Sequence, residues 1–301
     1  MVDVNAFTTP FQFTKEMHRD IYPAIDPKNP ELNAAGTTIL ITGATGGIGG
    51  EIARAWATAG AKAIIIIGRN TALLDEPLQA IKSISPSTEV LALTTDLTSE
   101  TEVEAMLKQA IDKFGTIDII VHAAALAVEG SAGTLDPTTW FNGFEVNIKG
   151  SYILAHYYLK AVEKGTIIFL GTLGASFAAP GLSSYSASKL ALMRFVEILN
   201  VEKPDLRVFT VHPGIVEQTE TGRGGKVDAF AAFAKDKGIM TGGLSLYLAQ
   251  PKADYLRGSY LSVNWDVEEM EAHKDEIVEK NLLKTAFLHA TLSPEGHPWS
   301  S

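Results

Sequence analysis

Thr38-Ile39-Leu40-Ile41-Thr42-Gly43-Ala44-Thr45-Gly46-Gly47-Ile48-Gly49 runs directly into Glu51-Ile52-Ala53-Arg54-Ala55-Trp56-Ala57-Thr58-Ala59 after one more glycine. A short apolar run, a turn built from glycines and a helix-compatible segment follow one another without a spacer. Such a unit brings backbone N–H groups and a helix N-terminus against a pyrophosphate with no side chains in the way. Glycine turns between strand and helix are also common where nothing binds, so the rest of the chain decides between a cradle and an ordinary turn.

Outward from this unit, runs rich in Ile and Val recur at 63–67, 89–93, 117–121, 166–170, 207–211 and 259–263, separated by helix-length sequence. Apolar runs without alternation are what parallel strands show when crossover helices bury both faces. The pattern predicts an α/β fold, a Rossmann-like, doubly wound parallel sheet of seven strands, in one domain over 36–265. Residues 1–35 differ: Pro10, Pro23, Pro27 and Pro30 block continuous helix, and Phe7, Phe11, Phe13 and Tyr22 need a surface to pack on. They are expected to form an arm lying on the domain or on a partner subunit. Residues 266–301 are expected to be a second appendage, an acidic helix and a tail, with Val267, Met270, Ile277 and Val278 fitting one helix only loosely.

The 301 residues are 46% hydrophobic and 20% charged, enough for a full core, and the formal charge of −10 disfavours nucleic acid as a partner. Zero cysteines exclude disulfides and thiol chemistry. No secretory signal is visible and no apolar run approaches the roughly 20 residues that span a bilayer, so no membrane partner and a cytoplasmic location are expected. The seven histidines include no ligand-spaced pair, so no metal is expected. Trp140, Phe141, Phe144, Tyr152, Tyr157 and Tyr158 suit a helix face buried in a core or a subunit contact.

The residues after the second strand, Gly68-Arg69-Asn70, offer a guanidinium and no carboxylate. An acid there would hold the adenosine ribose hydroxyls, whereas a base accepts a 2′-phosphate, so NADPH/NADP+ is expected over NADH. Asp96, in Thr95-Asp96-Leu97, suits either the adenine amino group or the cap of the next helix, although Thr98 and Ser99 sit closer to that start. The fifth strand ends at Gly171-Thr172-Leu173-Gly174, followed by Tyr185-Ser186-Ala187-Ser188-Lys189. Four residues apart on a helix, Tyr185 and Lys189 share a face, and the ammonium is expected to favour the ionised phenol and so improve it as an acid–base group. Alone, the pair is weak. It gains weight from its order after a phosphate cradle and a strand-end hydroxyl, all at the carboxyl ends of parallel strands, where ligands of such sheets bind.

Together these elements resemble the short-chain dehydrogenase/reductase family over roughly residues 36–265. The matching motifs are Thr42-Gly43-x-x-x-Gly47-x-Gly49, Asp96-Leu97, Asn147 within Phe144-Glu145-Val146-Asn147-Ile148-Lys149-Gly150, Tyr185-x-x-x-Lys189 and His212-Pro213-Gly214. The long arm and the Ser262-Val263-Asn264-Trp265-Asp266 end also resemble a fungal subgroup, several of whose members serve secondary metabolism. The resemblance implies that Tyr185 is the acid–base residue, that Lys189 holds the nicotinamide ribose and tunes Tyr185, and that Asn147 holds a water in a proton relay. Thr172 stands where a serine is usual, keeping the hydroxyl and adding a methyl that narrows χ1. The resemblance further implies that Gly43, Thr45, Gly46, Gly47, Ile48, Gly49, Arg69, Asn70, Asp96, Leu97, Ala123, Ala124, Tyr185, Lys189, Pro213, Gly214 and Val216 bind the cofactor.

Two departures from the family pattern stand out. His122-Ala123-Ala124-Ala125 replaces the usual Asn-Asn-Ala-Gly, and His122, directly after a strand, is expected to brace the sheet rather than to catalyse. The hydroxyl usual after Pro213-Gly214 is displaced by one residue, with Gln218 in its place and Thr219 next. The expected activity is an NADPH-dependent reductase acting on the carbonyl of a medium-sized, largely apolar small molecule. The alternatives are an NAD(P)+-dependent alcohol dehydrogenase using the same site and a cofactor-binding regulatory or scaffold protein with decayed redox activity. Residues 222–240 suit either a mobile lid with an apolar underside or an ordinary surface helix. By resemblance, the helices bearing Asn147 and Tyr185 build a homodimer or homotetramer.

Overall fold

The apolar runs pair into one all-parallel sheet of seven strands in the order β3-β2-β1-β4-β5-β6-β7. The strands are β1 (Thr38–Thr42), β2 (Ala63–Gly68), β3 (Glu89–Thr94), β4 (Ile119–His122), β5 (Gly165–Leu170), β6 (Leu206–His212) and β7 (Tyr260–Ser262). A computed structural model describes residues 3–217 and 228–286 of the chain. The expected doubly wound α/β architecture is present. β4 starts two residues later than the sequence suggests, because Asp118 caps the neighbouring strand instead, its carboxylate accepting from Thr38 N at 2.7 Å.

Strand order reverses between β1 and β4, which opens a crevice beyond their carboxyl ends. One face of the sheet is covered by α1 (Gly47–Thr58) and, further along the chain, Ile239–Ala249; the other by Glu100–Phe114, Gly150–Ala161 and Ser183–Glu202. In chain order the α-helices are α1, α2 (Asp75–Ile84), α3 (Glu100–Phe114), α4 (Pro137–Phe144), α5 (Gly150–Ala161), α6 (Ser183–Glu202), α7 (Ile239–Ala249), α8 (Val267–Ala272) and α9 (Lys274–Glu279). Strand side chains divide between the two cores by alternation, Ile39 and Ile41 facing α1 and Leu40 facing α3.

The N-terminal arm lies on its own domain. Its short 3-10 turns at Thr9–Phe11, Pro23–Ile25 and Pro30–Leu32 each begin at or beside a proline, where a missing N–H costs nothing. Ile25 and Leu32 are fully buried in the α1/α7 core, and each such burial stabilises by ~1.5–3 kcal/mol. Polar contacts fasten the arm to the chain after β7. The Tyr22 hydroxyl donates to the Trp265 carbonyl at 3.1 Å and accepts from Val267 N at 3.0 Å. Trp265 Nε1 donates to the Phe11 carbonyl at 3.0 Å, and His18 Nε2 lies 2.8 Å from Asp266 Oδ2.

After β7 the acidic segment forms two short helices rather than one. It breaks at His273, whose φ and ψ of −110° and 19° are not helical. A continuous helix would carry Lys274, seven residues after the buried Val267, onto the apolar stripe; the break leaves Lys274 exposed. Residues 218–227, which include Gln218, Thr219 and the first part of the 222–240 segment read as either a lid or a surface helix, and the tail beyond 286 lie outside the described residues.

Candidate active site

The glycine turn meets the geometric demands of a phosphate cradle. Gly46 and Gly47 have φ of 137° and 57°, a region that disfavours side chains. Gly49 lies so close to the turn that an added Cβ would stand 2.7 Å from the Gly43 carbonyl carbon. A Cβ on Gly43 would meet Ala124 N at 2.8 Å, so the first bend rests on the loop after β4. No side chain caps the N-terminus of α1 at Gly46. The site therefore offers backbone N–H groups to an anion at a helix end.

Around this cradle the other candidates for the cofactor fall in place by strand order. Arg69, directly after β2, is exposed and makes no ion pair among the described residues; Asn70 beside it accepts from Ala72 N at 3.0 Å. Thr45 packs on the end of β2, where only glycine leaves room at Gly68. Asp96 Oδ1 accepts from Thr98 N at 2.9 Å and Thr98 Oγ1 at 2.8 Å. These two bonds, with Arg69 and Lys149 nearby, hold its carboxyl below the usual range. The cap of α3 is Ser99, so Asp96 closes a local turn instead. Leu97 is buried against Gly150 at the start of α5.

On the other side of the switch point, Thr42 Oγ1 lies 2.9 Å from His122 Nδ1 and accepts from Ala124 N at 3.1 Å. His122 is buried and stands edge-on to Phe169 of β5. Burial, and then the Lys189 charge, push its imidazole down to about 3, so it is neutral. It braces β1 against β5, as expected of a structural histidine.

The four candidate catalytic residues converge at the ends of β4 and β5. Thr172 caps the 3-10 turn Leu173–Ala175, its hydroxyl accepting from Gly174 N at 3.1 Å, and the same hydroxyl favours the ionised form of the Tyr185 phenol. Tyr185 and Lys189 lie one turn apart in α6. Asn147 is buried in a π-helical turn, Glu145–Lys149, joining α4 to α5. Its side-chain amide accepts from Leu126 N at 2.8 Å and donates to the Leu126 carbonyl at 2.9 Å and to Ser188 Oγ at 3.0 Å. Ser188 Oγ in turn donates to the Tyr185 carbonyl at 2.9 Å.

The electrostatics differ from the sequence expectation at one point. Lys189 is buried, donates to the Leu170 carbonyl at 2.7 Å, and burial lowers it to about 8. Burial raises the Tyr185 phenol above its ordinary value, and the influence that lowers it is the Thr172 hydroxyl, not Lys189. The spacing correctly puts the amine on the phenol's face of α6. It does not reveal that the amine is aimed at the end of β5.

Residues 37–226 match the family model for short chain dehydrogenases. The chain belongs to that family. Short chain dehydrogenase mpl6 of Monascus purpureus is 33% identical over 287 residues, covering 91% of this chain and 96% of the relative. Short chain dehydrogenase andI of Emericella variicolor is 30% identical, with 90% and 95% covered. Among solved structures, a short-chain dehydrogenase/reductase from Serratia marcescens has the same fold, with a TM-score of 0.69 at 24% identity over 76% of this chain and 97% of that one.

Several positioning groups of this short-chain dehydrogenase carry no clear sequence signal. After β6, Gly214 has a φ of 81°, and a Cβ there would press on the Asp236 carboxylate. Asp236, fully buried, accepts from Ile215 N at 2.6 Å and from Asn264 Nδ2 at 2.8 Å, and Val216 bridges to it as a parallel pair. Asp236 thus fixes the loop that carries Pro213, Gly214 and Val216. His212, neutral because burial lowers it to about 4, lies with Nδ1 3.3 Å from Leu173 N and anchors the turn beside Thr172. Ser188 was hidden inside the Tyr-Ser-Ala-Ser-Lys motif, and Asp236 lies too far along the chain for spacing to find it. Among the described residues, no helix is long and apolar enough to cross a membrane.

Proposed function

We propose that this short-chain dehydrogenase is an NADPH-dependent reductase acting on the carbonyl of a medium-sized, largely apolar small molecule, as part of secondary metabolism in the cytoplasm. One observation carries the reading: Asn147 is held at Leu126 to the loop after β4, on which the glycine cradle also rests, and through Ser188 to the main chain of half-buried Tyr185, whose phenol the Thr172 hydroxyl tunes. Bound NADPH supplies a hydride. The protein's groups do the rest. Thr172 and Tyr185 hydrogen-bond the carbonyl oxygen where negative charge develops, and Tyr185 gives it a proton. Lys189 holds the nicotinamide ribose, and Asn147 fixes the loop at Leu126 and, through Ser188, the main chain of Tyr185.

The phenol's protonation state suits the proposed step. Burial raises Tyr185, so it is protonated at neutral pH, the form a donor to the carbonyl oxygen needs, while the ratio of reduced to oxidised cofactor sets which way the reversible reaction runs. A decayed, regulatory role is disfavoured by the shared network of Asn147, Ser188 and Tyr185. The preference for NADPH rests on exposed Arg69 after β2, with Asn70 and no carboxylate beside it. The remaining cofactor contacts are proposed at Gly43, Thr45, Gly46, Gly47, Ile48, Gly49, Leu97, Ala123, Ala124, Pro213, Gly214 and Val216, while Asp96 is reserved for its local turn.

Titration of the purified protein with NADPH and NADH tests the cofactor. NADPH should bind at least about tenfold tighter, and Arg69→Ala should erase most of that ratio while changing NADH binding little. Equal affinities in the wild type would remove the NADPH assignment. We also propose a homodimer or homotetramer built on the outer faces of α5 and α6.

A further inference from the structure

The N-terminal arm precedes residue 37, where the family match begins, yet it reaches the catalytic turn. Phe7, Thr8, Phe11 and Gln12 close one side of a cavity no larger than a water molecule whose other side is Leu173, His212 and Tyr260. Leu173 directly follows Thr172. Gln12 Oε1 and the Tyr260 hydroxyl are buried without a hydrogen-bond partner among the described residues. The arm is therefore one side chain away from the proposed carbonyl site.

Its aromatic rings join both segments that flank that site. Phe7 stands edge-on to Phe230 at 4.9 Å and to Phe233 at 4.7 Å between ring centroids, on the 3-10 helix Asp228–Phe233. Phe177, five residues after Thr172, lies 6.2 Å from Phe7 and 6.0 Å from Phe11. All five rings are half-buried, so each keeps some surface uncovered.

The arm is held in place for this task. Arg19 Nη1 donates to buried Asp236 Oδ1 at 3.1 Å, and Nη2 donates to Asn5 Oδ1 at 2.6 Å and Thr8 Oγ1 at 3.0 Å. Asp236 also fixes Ile215, so one carboxylate ties the arm to the loop after β6.

We infer that Phe7 and Phe11 form a wall of the substrate cleft and select flat, uncharged aromatic ketones. A wall of phenylalanine rings offers edges and faces that suit another ring and nothing that would balance a carboxylate or phosphate. Arg19 is already engaged with Asp236, and among the described residues no other cation belongs to the ring cluster.

This inference rests on the reductase reading, and its test has one arm that does not. The full-length protein is assayed at 340 nm with NADPH and a ladder of cyclohexanone, acetophenone and 2-acetylnaphthalene. Calorimetry measures direct binding of the same three compounds. In the wild type, kcat/KM and affinity should rise along the ladder. Phe7→Ala should cost about twofold on cyclohexanone and about tenfold on 2-acetylnaphthalene, chiefly in KM, with Phe7→Tyr restoring most of the loss. A uniform loss across the ladder, or a loss in kcat alone, would mean that Phe7 serves only the fold and would overturn the inference. Where Phe7→Ala does not fold, Phe7→Leu and Phe11→Leu serve, with a smaller loss of the same ranking expected. If the wild type consumes no NADPH with any ketone, the reductase reading fails. Calorimetry then still decides the wall: wild-type affinity for 2-acetylnaphthalene no greater than for cyclohexanone, or equal in Phe7→Ala, contradicts it.

Discussion

Burial by itself makes Tyr185 a weaker acid than free tyrosine, and the Thr172 hydroxyl draws it part of the way back by stabilising the phenolate. Removing that hydroxyl should therefore raise the phenol further. In the alcohol-oxidation direction Tyr185 must act as a base, so its ionised form is required. The rise of kcat/KM with pH should thus move to higher pH in Thr172→Ala, while Thr172→Ser should stay close to the wild type. Reduction at neutral pH should also fall by about 10²-fold, since a donor to the developing oxyanion is lost. A pH profile of Thr172→Ala that coincides with the wild type would refute the role given to Thr172. The candidate hydroxyl and phenol, Thr172 and Tyr185, were picked out by strand-end position and motif order. The sense of the tuning was not, because a four-residue spacing fixes a shared helix face but not the carbonyl to which Lys189 commits its ammonium.

At the level of elements, the glycine turn is the most sharply constrained. Gly49→Ala would press a methyl on the Gly43 backbone, which cannot yield as a flexible side chain would. NADPH affinity, followed by cofactor fluorescence, should drop by at least about tenfold, with ~1–3 kcal/mol of stability lost. Its neighbour is a control: a Cβ on Gly50 in α1 meets nothing nearer than the Ala44 carbonyl oxygen at 3.9 Å. Gly50→Ala should keep cofactor binding and stabilise the helix by ~0.5–1 kcal/mol. Equal behaviour of the two variants would show that the turn is an ordinary one. The strands and this turn were readable because buried parallel strands and close backbone approach leave a local imprint, apolar runs and glycines. The arm's fastening was not, since Arg19 and Asp236 stand 217 residues apart and nothing local marks either as a partner. The break at His273 was foreshadowed only by the loose fit of the apolar positions.

For the whole molecule, exposed apolar side chains mark where further burial is to be had. Tyr152 on α5 is 55% exposed and packs against Phe195 of α6, while Ile198 on α6 is 47% exposed. Tyr158, by contrast, is buried with its hydroxyl on the Ile117 carbonyl at 2.8 Å, so the aromatic stretch divides between core and outer face as its helical phase dictates. Light scattering should give a dimer or tetramer, and a Tyr152→Glu, Ile198→Glu double variant should shift it to monomer at micromolar concentration; a monomeric wild type would rule the assembly out. The central claim, that a phenol beside the glycine cradle protonates a carbonyl as NADPH is oxidised, is tested most directly by Tyr185→Phe. That variant should bind NADPH within about twofold of the wild type, yet lose carbonyl-dependent NADPH oxidation by about 10³-fold or more. Wild-type turnover in Tyr185→Phe would contradict the account.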